Sequence, residues 1–271
     1  PLVLSPSSLP ATCFGSSTGS AAIAVQGGNG GYSCVWSPGG FSGLSISGLT
    51  AGVYTATITD NKGCTTTNSV TITQPTRLNL TLTSTNVSCF GGNNGSITSS
   101  SGGGTSPYTY SWSNGSTTQN ISNLTSGTYS LTITDSKGCT NTKSVNITQP
   151  TQLTSSLTST NVSCNGGNNG AITVSVSGGT GSISAFWSNT QLGFTASNLS
   201  ANSYTITLSD SAGCIITATY AVIEPLPIVI SNPVIQNINC SLLDTGSITA
   251  SASGGTGTLT YSWGQLSTGQ T

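Results

Sequence analysis

The clearest structural signal in the chain is the stretch Gly-Thr-Tyr-Ser-Leu-Thr-Ile-Thr-Asp-Ser-Lys-Gly-Cys-Thr at residues 127–140. In it Tyr129, Leu131 and Ile133 alternate with small hydroxyl residues, which is the period-two pattern of a β-strand with one buried face. Residues 135–138 have the composition of a hairpin turn. The stretch therefore predicts two antiparallel strands joined by a tight turn.

This stretch belongs to a tandem repeat with a period of 75 or 76 residues. In each copy a first cysteine precedes a tryptophan by 23 residues, and in three copies a tyrosine precedes a second cysteine by ten. The first cysteines are Cys13, Cys89, Cys164 and Cys240, the tryptophans Trp36, Trp112, Trp187 and Trp263, the tyrosines Tyr54, Tyr129 and Tyr204, and the second cysteines Cys64, Cys139 and Cys214. Prolines separate the copies, which predicts repeat 1 at 1–75, repeat 2 at 76–150, repeat 3 at 151–225 and the N-terminal part of repeat 4 at 226–271. Because repeat 4 stops soon after its tryptophan, we expect the chain to continue beyond Thr271.

Strand and turn signals alternate roughly every 8–12 residues within a repeat, the spacing of a small β-sandwich. We count about seven antiparallel strands per repeat. The tyrosine begins the penultimate strand, where immunoglobulin-like (Ig-like) sandwiches place a tyrosine whose hydroxyl bonds back to the upstream backbone. The sequence therefore predicts an all-β fold of tandem Ig-like antiparallel β-sandwiches of about 75 residues, each with one disulfide.

The cysteine spacing predicts disulfides that join the first turn of a repeat to its last hairpin. The predicted pairs are Cys13–Cys64, Cys89–Cys139 and Cys164–Cys214. A metal site is disfavoured, because the chain has no histidine and no Cys-x-x-Cys spacing. A cross-link closing such a loop contributes on the order of 4 kcal/mol, which matters for a core this small. Disulfides indicate an oxidising, exported location, and we expect the fold to tolerate salt and pH but not reduction.

Two cysteines are left over from this pairing. We expect Cys240 to pair with a residue beyond Thr271. Cys34 lies two residues before Trp36 and hence on the same strand face. This position favours a buried free thiol, and a disulfide to another chain is the alternative.

Charged residues make up only 3% of the 271 positions. The four cations, Lys62, Arg77, Lys137 and Lys143, are too few for a nucleic-acid footprint or a membrane-surface helix. No apolar run approaches the roughly 20 residues of a membrane span. We therefore predict no nucleic-acid partner, no membrane insertion, no cofactor, no metal and no catalytic residue in this segment.

Three acidic residues recur as Asp-x-x-Gly-Cys: Asp60, Asp135 and Asp210. Calcium sites need six to eight oxygen ligands and glycosidases need two facing carboxylates, whereas each repeat has one such residue in its second half. We therefore interpret them as turn residues. The glycine-rich stretches at 89–95 and 164–170 are also interpreted as turns, because no helix follows them as in a phosphate loop.

The tryptophans alternate with serine and threonine, which favours core packing over a carbohydrate-binding platform. Asn-x-Ser/Thr triplets are frequent, as expected by chance in so Asn- and Thr-rich a chain. Asp210-Ser211-Ala212 resembles a bacterial O-glycosylation motif, so Ser211 is a candidate glycosylation site. Glycans would help to keep a nearly uncharged surface soluble.

Three strings closely resemble the SprB repeat, a family found in very large surface adhesins of Bacteroidota. They are Cys-Phe-Gly-Gly-Asn-Asn-Gly-Ser-Ile-Thr at 89–98, Ser-Pro-Tyr-Thr-Tyr-Ser-Trp-Ser-Asn-Gly at 106–115, and the stretch at 127–140. The resemblance implies an exported cell-surface protein whose stacked repeats form a long filament. It further implies secretion by the type 9 system and, in gliding species, movement by the motility machinery. The repeat has no known active site.

The leading hypothesis is therefore a non-enzymatic stalk that projects an adhesive region from the cell surface. Its expected partners are the secretion or motility machinery and external surfaces or polysaccharide. The alternative is a subunit of a multi-chain extracellular fibre or sheath, formed by self-association of uncharged faces. Binding of ice or crystalline polysaccharide by flat threonine rows is disfavoured, because a 75-residue period is too long for a regular threonine lattice.

Overall fold

The computed structural model describes residues 1–237 and 246–264. Within them the chain forms 23 β-strands and no helix, and every strand pair is antiparallel. None of these residues therefore belongs to a helix long and apolar enough to cross a membrane. The predicted all-β fold of tandem Ig-like sandwiches is confirmed.

Repeat 1 contains seven strands arranged in two sheets. The strands are β1 (Val3–Leu9), β2 (Gly19–Gln26), β3 (Ser33–Ser37), β4 (Phe41–Ser42), β5 (Ser45–Leu49), β6 (Gly52–Thr59) and β7 (Thr65–Ile72). One sheet has the order β1-β2-β5 and the other β4-β3-β6-β7. Their apolar faces enclose a core around Trp36, Ile58 and Ile72.

Repeats 2 and 3 follow the same plan with six strands each, again in two sheets. In repeat 2 the strands are β8 (Asn79–Thr85), β9 (Gly95–Gly102), β10 (Thr109–Trp112), β11 (Ile121–Leu124), β12 (Gly127–Thr134) and β13 (Thr140–Ile147). In repeat 3 they are β14 (Thr154–Thr160), β15 (Gly170–Ser177), β16 (Ile183–Trp187), β17 (Thr195–Leu199), β18 (Asn202–Asp210) and β19 (Ile215–Val222). The sheets have the orders β8-β9-β11 and β10-β12-β13, then β14-β15-β17 and β16-β18-β19. The short strand β4 has no strand counterpart in these repeats, and in repeat 3 a single bridge between Phe186 and Leu192 takes its place.

The described part of repeat 4 contains four short strands in two two-stranded sheets. These are β20 (Val229–Ile230), β21 (Val234–Gln236), β22 (Ser247–Thr249) and β23 (Ala252–Ser253). Strand β20 pairs with β23, and β21 pairs with β22. The side chains of Tyr261 and Trp263 are more than half exposed here, in contrast to the buried tryptophans of the other repeats.

One tryptophan lies in the core of each of repeats 1 to 3. Trp36 and Trp187 are fully buried and Trp112 nearly so. Each indole N–H donates a hydrogen bond of 2.9 Å to a backbone carbonyl, that of Gly43, Thr118 or Gly193 respectively. For these three residues the prediction of core packing is confirmed.

The predicted tyrosine corner is present in all three of these repeats. The hydroxyl of Tyr54 donates to the carbonyl oxygen of Thr50 at 3.3 Å. Tyr129 and Tyr204 make the equivalent bonds of 3.1 Å to the residues four positions upstream, Thr125 and Ser200. These bonds fasten the segment before the penultimate strand onto that strand.

Contacts divide the chain into two compact units. The first comprises Pro1–Val87 and Gly91–Gln149, and the second comprises Ser88–Phe90 and Pro150–Thr271. The four-domain division at 75, 150 and 225 stays a prediction.

Replacing Tyr204 by Phe should lower the free energy of unfolding by about 1 kcal/mol, because the bond to the Ser200 carbonyl is lost. Tyr220→Phe is the matched control, since Tyr220 lies opposite Tyr204 on the neighbouring strand and is exposed. Urea denaturation followed by circular dichroism measures both. Equal losses in the two variants would contradict a specific role for the Tyr204 hydroxyl.

Candidate functional site

Two disulfides join consecutive repeats, and these links are the most distinctive chemical feature of the chain. Cys13 lies in the first turn of repeat 1 and bonds to Cys139, which lies in the last hairpin of repeat 2, just before β13. The S–S distance is 2.03 Å and the Cα–Cα distance is 5.7 Å. Cys89 in the first turn of repeat 2 bonds to Cys214 in the last hairpin of repeat 3, with a Cα–Cα distance of 5.6 Å. We call Cys13, Cys89 and Cys164 the first-turn cysteines, and Cys64, Cys139 and Cys214 the hairpin cysteines.

The predicted pairs Cys13–Cys64, Cys89–Cys139 and Cys164–Cys214 are therefore wrong. Within one repeat the first turn and the last hairpin lie at opposite ends of the last strand. In repeat 1 the first turn lies beside the residue that follows the C-terminal end of β7, because the N–H of Ala11 donates to the carbonyl of Thr73 at 2.9 Å. Cys64 directly precedes the other end of this eight-residue strand. At about 3.3 Å per residue the strand holds the two cysteines roughly 25 Å apart, and a disulfide requires Cα atoms within about 7 Å.

The same arrangement occurs in repeats 2 and 3. The N–H of Val87 donates to the carbonyl of Thr148 at 3.0 Å, and the N–H of Val162 donates to that of Ile223 at 3.1 Å. The strands β13 and β19, each of eight residues, then lead back to the hairpins. The first-turn cysteine of each repeat is thus kept away from its own hairpin.

Asp135 organises the hairpin that carries Cys139. One carboxylate oxygen, Oδ1, accepts the backbone N–H groups of Lys137 and Cys139, both at 2.9 Å. The other, Oδ2, accepts the backbone N–H of Thr105 at 2.8 Å. The residue is buried. This carboxylate therefore shapes the turn, as predicted, and also joins the hairpin to a loop 30 residues upstream, which the sequence analysis missed.

The equivalent carboxylates make the same contacts. Oδ1 of Asp210 accepts the N–H groups of Ala212 and Cys214, and its Oδ2 accepts that of Thr180 at 2.8 Å. Oδ1 of Asp60 accepts the N–H groups of Lys62 and Cys64 in the same way. Its Oδ2 accepts both the backbone and the side-chain N–H of Asn29, at 3.1 and 2.8 Å.

A glycine pair before the upstream loop is the sequence signal for this contact. In repeat 2 the pair is Gly103-Gly104, directly before Thr105. Gly104 has a φ of +60°, and a Cβ atom there would lie 2.6 Å from Oδ2 of Asp135. A side chain at this position would therefore displace the carboxylate.

The hydrogen bonds to the carboxylates lower their pKa values. The side-chain amide of Asn29 is the largest cause for Asp60 and, together with backbone N–H donors, lowers its pKa to about 2. Burial acts to raise the pKa of Asp135, but the N–H donors of Thr105, Cys139 and Lys137 outweigh it. The N–H of Cys214 is the largest cause of the lowered pKa of Asp210. All three carboxylates are thus ionised hydrogen-bond acceptors at neutral pH.

The remaining cysteines fall into two groups. Cys34 is only 5% exposed within the core of repeat 1, and burial raises the pKa of its thiol. Cys64 and Cys164, both predicted to be disulfide-bonded, are exposed and have no disulfide partner among residues 1–237 and 246–264. Cys240 lies outside the described residues, so its expected partner stays a prediction.

The candidate glycosylation residue Ser211 lies in the hairpin between β18 and β19 and is exposed. Its hydroxyl donates a hydrogen bond of 2.7 Å to the carbonyl of Thr180. A glycan on its Oγ would remove this donor. Glycosylation of Ser211 stays a prediction.

The SprB repeat family matches residues 6–41, 81–117, 156–191 and 232–268, which together make up just over half of the chain. Each matched segment contains one first cysteine and its tryptophan. This chain belongs to the SprB repeat family. SprB repeats occur in cell-surface proteins, and the chain is accordingly a tandem-repeat, adhesin-like segment of the extracellular type. No curated protein matches its sequence.

Several solved structures of tandem domains are similar to this SprB-repeat chain at low sequence identity. The three N-terminal domains of the bacteriophage RB49 highly immunogenic outer capsid protein share 15% identity, over 93% of this chain and 97% of that one, with a TM-score of 0.39. The eight N-terminal Ig domains of the Down syndrome cell adhesion molecule share 11% identity, over 70% of this chain and 32% of that one, with a TM-score of 0.38. At these identities the comparison concerns the fold alone.

Cys13→Ser, Cys139→Ser and the double variant should all lose the same stability, because each removes the same cross-link. For a sequence separation of 126 residues, the loss is on the order of 5 kcal/mol from the chain entropy regained on unfolding. Denaturant unfolding under oxidising conditions measures it. Cys64→Ser is the control and should change little, whereas a loss as large as that of Cys13→Ser would support the within-repeat pair instead.

Acid should destabilise the chain through the hairpin carboxylates. Since the pKa of Asp60 is lowered to about 2 in the folded state, its stabilising contribution is complete above about pH 4 and is lost as pH falls towards 2. Thermal melting should therefore be flat from pH 5 to 8 and fall steeply below pH 4. Asp60→Asn should melt lower at pH 7 and lose less between pH 4 and 2.

Lys62→Ala is the control for this titration, because Lys62 contributes its backbone N–H and not its side chain to the Asp60 contact. Its melting profile should follow that of the parent chain. A profile for Asp60→Asn that parallels the parent below pH 4 would exclude Asp60 as a source of the acid sensitivity.

Proposed function

We propose that the chain is a non-enzymatic stalk segment of a large secreted bacterial cell-surface adhesin. The observation that carries this proposal is the pair of disulfides that join consecutive repeats. A stalk transmits tension along the chain, and cross-links between neighbouring repeats carry tension past the proline-containing connections. A staple confined to one repeat would leave those connections to bear the whole load.

The disulfides also limit how far the backbone can extend. Cys13 and Cys214 are 201 residues apart in sequence. The shortest covalent route between them crosses to Cys139, follows the backbone for 50 residues to Cys89, and crosses to Cys214. Fully extended, this route spans roughly 170 Å, against roughly 700 Å for the uncrosslinked backbone. When the oxidised chain unfolds under load, Cys13 and Cys214 can therefore separate to only about a quarter of the distance that the uncrosslinked backbone would allow.

In this proposal the stalk is secreted by the type 9 system and displayed on the surface of a Bacteroidota cell. The motility machinery carries it in gliding species, and an adhesive region attaches to external surfaces or polysaccharide. Membership of the SprB repeat family supports this placement. The scarcity of lysine and arginine also suits an exposed stalk, because few sites are open to basic-specific proteases.

Single-molecule pulling between the two ends of the oxidised chain tests the mechanical role. Unfolding of residues 13–214 should add no more than roughly 170 Å of contour length, rising to roughly 700 Å in the Cys13→Ser/Cys89→Ser variant. Cys64→Ser/Cys164→Ser is the matched control and should behave like the parent. Release of the full length from the oxidised parent would contradict the proposal.

Negative-stain imaging of the purified chain and of labelled cells distinguishes the stalk from a multi-chain fibre or sheath. Thin single strands at the cell surface support the stalk, and ordered thick tubes support the fibre. The burial of Cys34 argues against the fibre, because a thiol 5% exposed in the core is not accessible for a disulfide to another chain.

A further inference from the structure

The two disulfides follow one rule. A first-turn cysteine bonds to the hairpin cysteine of the next repeat, as Cys13 does with Cys139 and Cys89 with Cys214. By this rule the bonding partner of Cys164 is the hairpin cysteine of repeat 4. Residues 226–271 contain only the first cysteine of that repeat, Cys240. The bonding partner of Cys64 is the first-turn cysteine of a repeat that precedes repeat 1.

We propose that Cys64 and Cys164 are the two attachment points through which this segment is disulfide-bonded to flanking SprB repeats of the same polypeptide. Cys64 forms a disulfide with the first-turn cysteine of the repeat before it. Cys164 forms a disulfide with the cysteine of an Asp-x-x-Gly-Cys hairpin that completes the repeat after it. This inference deepens the proposed stalk function and rests on it.

The hairpin of Cys64 has the geometry of the bonded hairpins. The N–H of Cys64 donates to Oδ1 of Asp60 at 3.0 Å, against 2.9 Å for Cys139 with Asp135 and for Cys214 with Asp210. In all three hairpins the N–H of the aspartate also donates to the carbonyl of the cysteine, at 2.9 to 3.1 Å. What differs is exposure, since Cys139 is buried and Cys64 is exposed.

The turn of Cys164 likewise has the geometry of the bonded first turns. The carbonyl of Cys164 accepts the N–H of Gly167 at 3.0 Å, as the carbonyl of Cys13 accepts that of Ser16 at 3.1 Å. The N–H two residues after Cys164, that of Gly166, donates to the side chain of Glu224. In repeats 1 and 2 the corresponding N–H groups donate to glutamine side chains at 2.7 and 2.8 Å. Both thiols thus lie in turns already shaped for a disulfide.

A cleft beside Cys164 has the position and lining to receive the missing hairpin. It has a volume of about 400 Å³ and is lined by Cys164, Asn165, residues 225–228 and Gly255. Beside the Cys89–Cys214 bond, the corresponding cleft is lined by Cys89, Phe90, residues 150–153 and Gly179. These residues lie 75 or 76 positions earlier in the sequence.

At the Cys89 cleft the lining also includes residues of the partner hairpin, namely Asp210 and residues 213–216. The cleft at Cys164 is therefore lined by the residues equivalent to those that contact the hairpin of Cys214 at the Cys89 cleft. An Asp-x-x-Gly-Cys hairpin is the occupant that this surface fits.

Cys34 is not a further attachment point, because its thiol is packed in the core of repeat 1 and does not lie in such a turn.

The bond forms by oxidation of two thiols. Each gives up one proton and one electron, the two sulfurs join, and a small-molecule or protein disulfide of the oxidising compartment accepts the two electrons and becomes two thiols. Exposure of Cys64 and Cys164 allows this exchange to take place.

The decisive experiment supplies each attachment point with a neighbour. In one chain a copy of residues 76–151 precedes Pro1, and in another a copy of residues 76–150 follows Pro225, which keeps the repeat spacing in both. The expected linked peptides, Cys64 with the copied Cys89 and Cys164 with the copied Cys139, arise from no pairing within a repeat. After oxidation with glutathione disulfide, free thiols are alkylated and disulfide-linked peptides are mapped by mass spectrometry. Alkylation of Cys64 should be lost in the first chain and that of Cys164 in the second.

The mapped partners should be the first-turn cysteine of the preceding copy for Cys64 and the hairpin cysteine of the inserted copy for Cys164. The control for the first chain carries Ser at the copied position of Cys89, and Cys64 should then be alkylated again. The proposal is overturned if Cys64 stays reactive while the added copy pairs its own two cysteines. It is equally overturned if Cys64 or Cys164 bonds only between separate molecules, seen as dimers without reductant.

Thiol mapping measures neither force nor surface display. If Cys64 and Cys164 do not bond to the added repeats, the pulling measurement still tests the stalk through the two disulfides inside this segment. Conversely, a chain that maps as expected but releases its full length under force would refute the stalk and keep the attachment points.

Discussion

The length of the last strand in each repeat is the constraint on which the disulfide arrangement depends. Strands β7, β13 and β19 have eight residues each and separate the first turn from the hairpin. Because that distance is several times the reach of a disulfide, no repeat can cross-link itself in this way. The bonded cysteines are instead paired with those of the neighbours, and repeat 2 contributes one cysteine to each side, Cys139 to repeat 1 and Cys89 to repeat 3.

The hairpin carboxylates serve the same arrangement from within each repeat. By accepting the N–H of the hairpin cysteine, Asp135 fixes the backbone from which the Cys139 sulfur projects. By accepting a second N–H from the loop at Thr105, it fixes that hairpin to the body of the sandwich. Three of the five acidic residues in the chain have this role, so most of its carboxylates are placed where they define the hairpin turns that carry the second cysteines.

On the outer faces, neutral pairs stand where other proteins place ion pairs. Hydroxyl groups meet across the last two strands at corresponding positions in each repeat. These are Thr55 with Ser69, Ser130 with Ser144, and Thr205 with Thr219, at 2.8 to 2.9 Å. Such contacts do not depend on ionic strength, because they involve no net charge.

Local features of this fold were predictable from the sequence, and contacts between repeats were not. The alternation around Leu131 and the fixed position of Tyr129 identified the strands and the tyrosine corner, because both depend on neighbours in sequence. The pairing of Cys13 depends on which turn of another repeat lies beside it, and equal spacings in every copy fit more than one pairing. The contact between Asp135 and Thr105 lies within repeat 2 but joins residues 30 positions apart in sequence, so it was missed as well, although the Gly103-Gly104 pair marks it.

The overlap of the two disulfide-closed loops gives the chain a tolerance to backbone cleavage. The loop closed by Cys13 and Cys139 and the loop closed by Cys89 and Cys214 share residues 89–139. A single broken peptide bond anywhere between Cys13 and Cys214 therefore leaves both ends connected through the other covalent route. Separate cross-links within each repeat would not protect the connecting segments in this way. A filament built on this plan survives any one proteolytic cut in this region without shedding what lies beyond it.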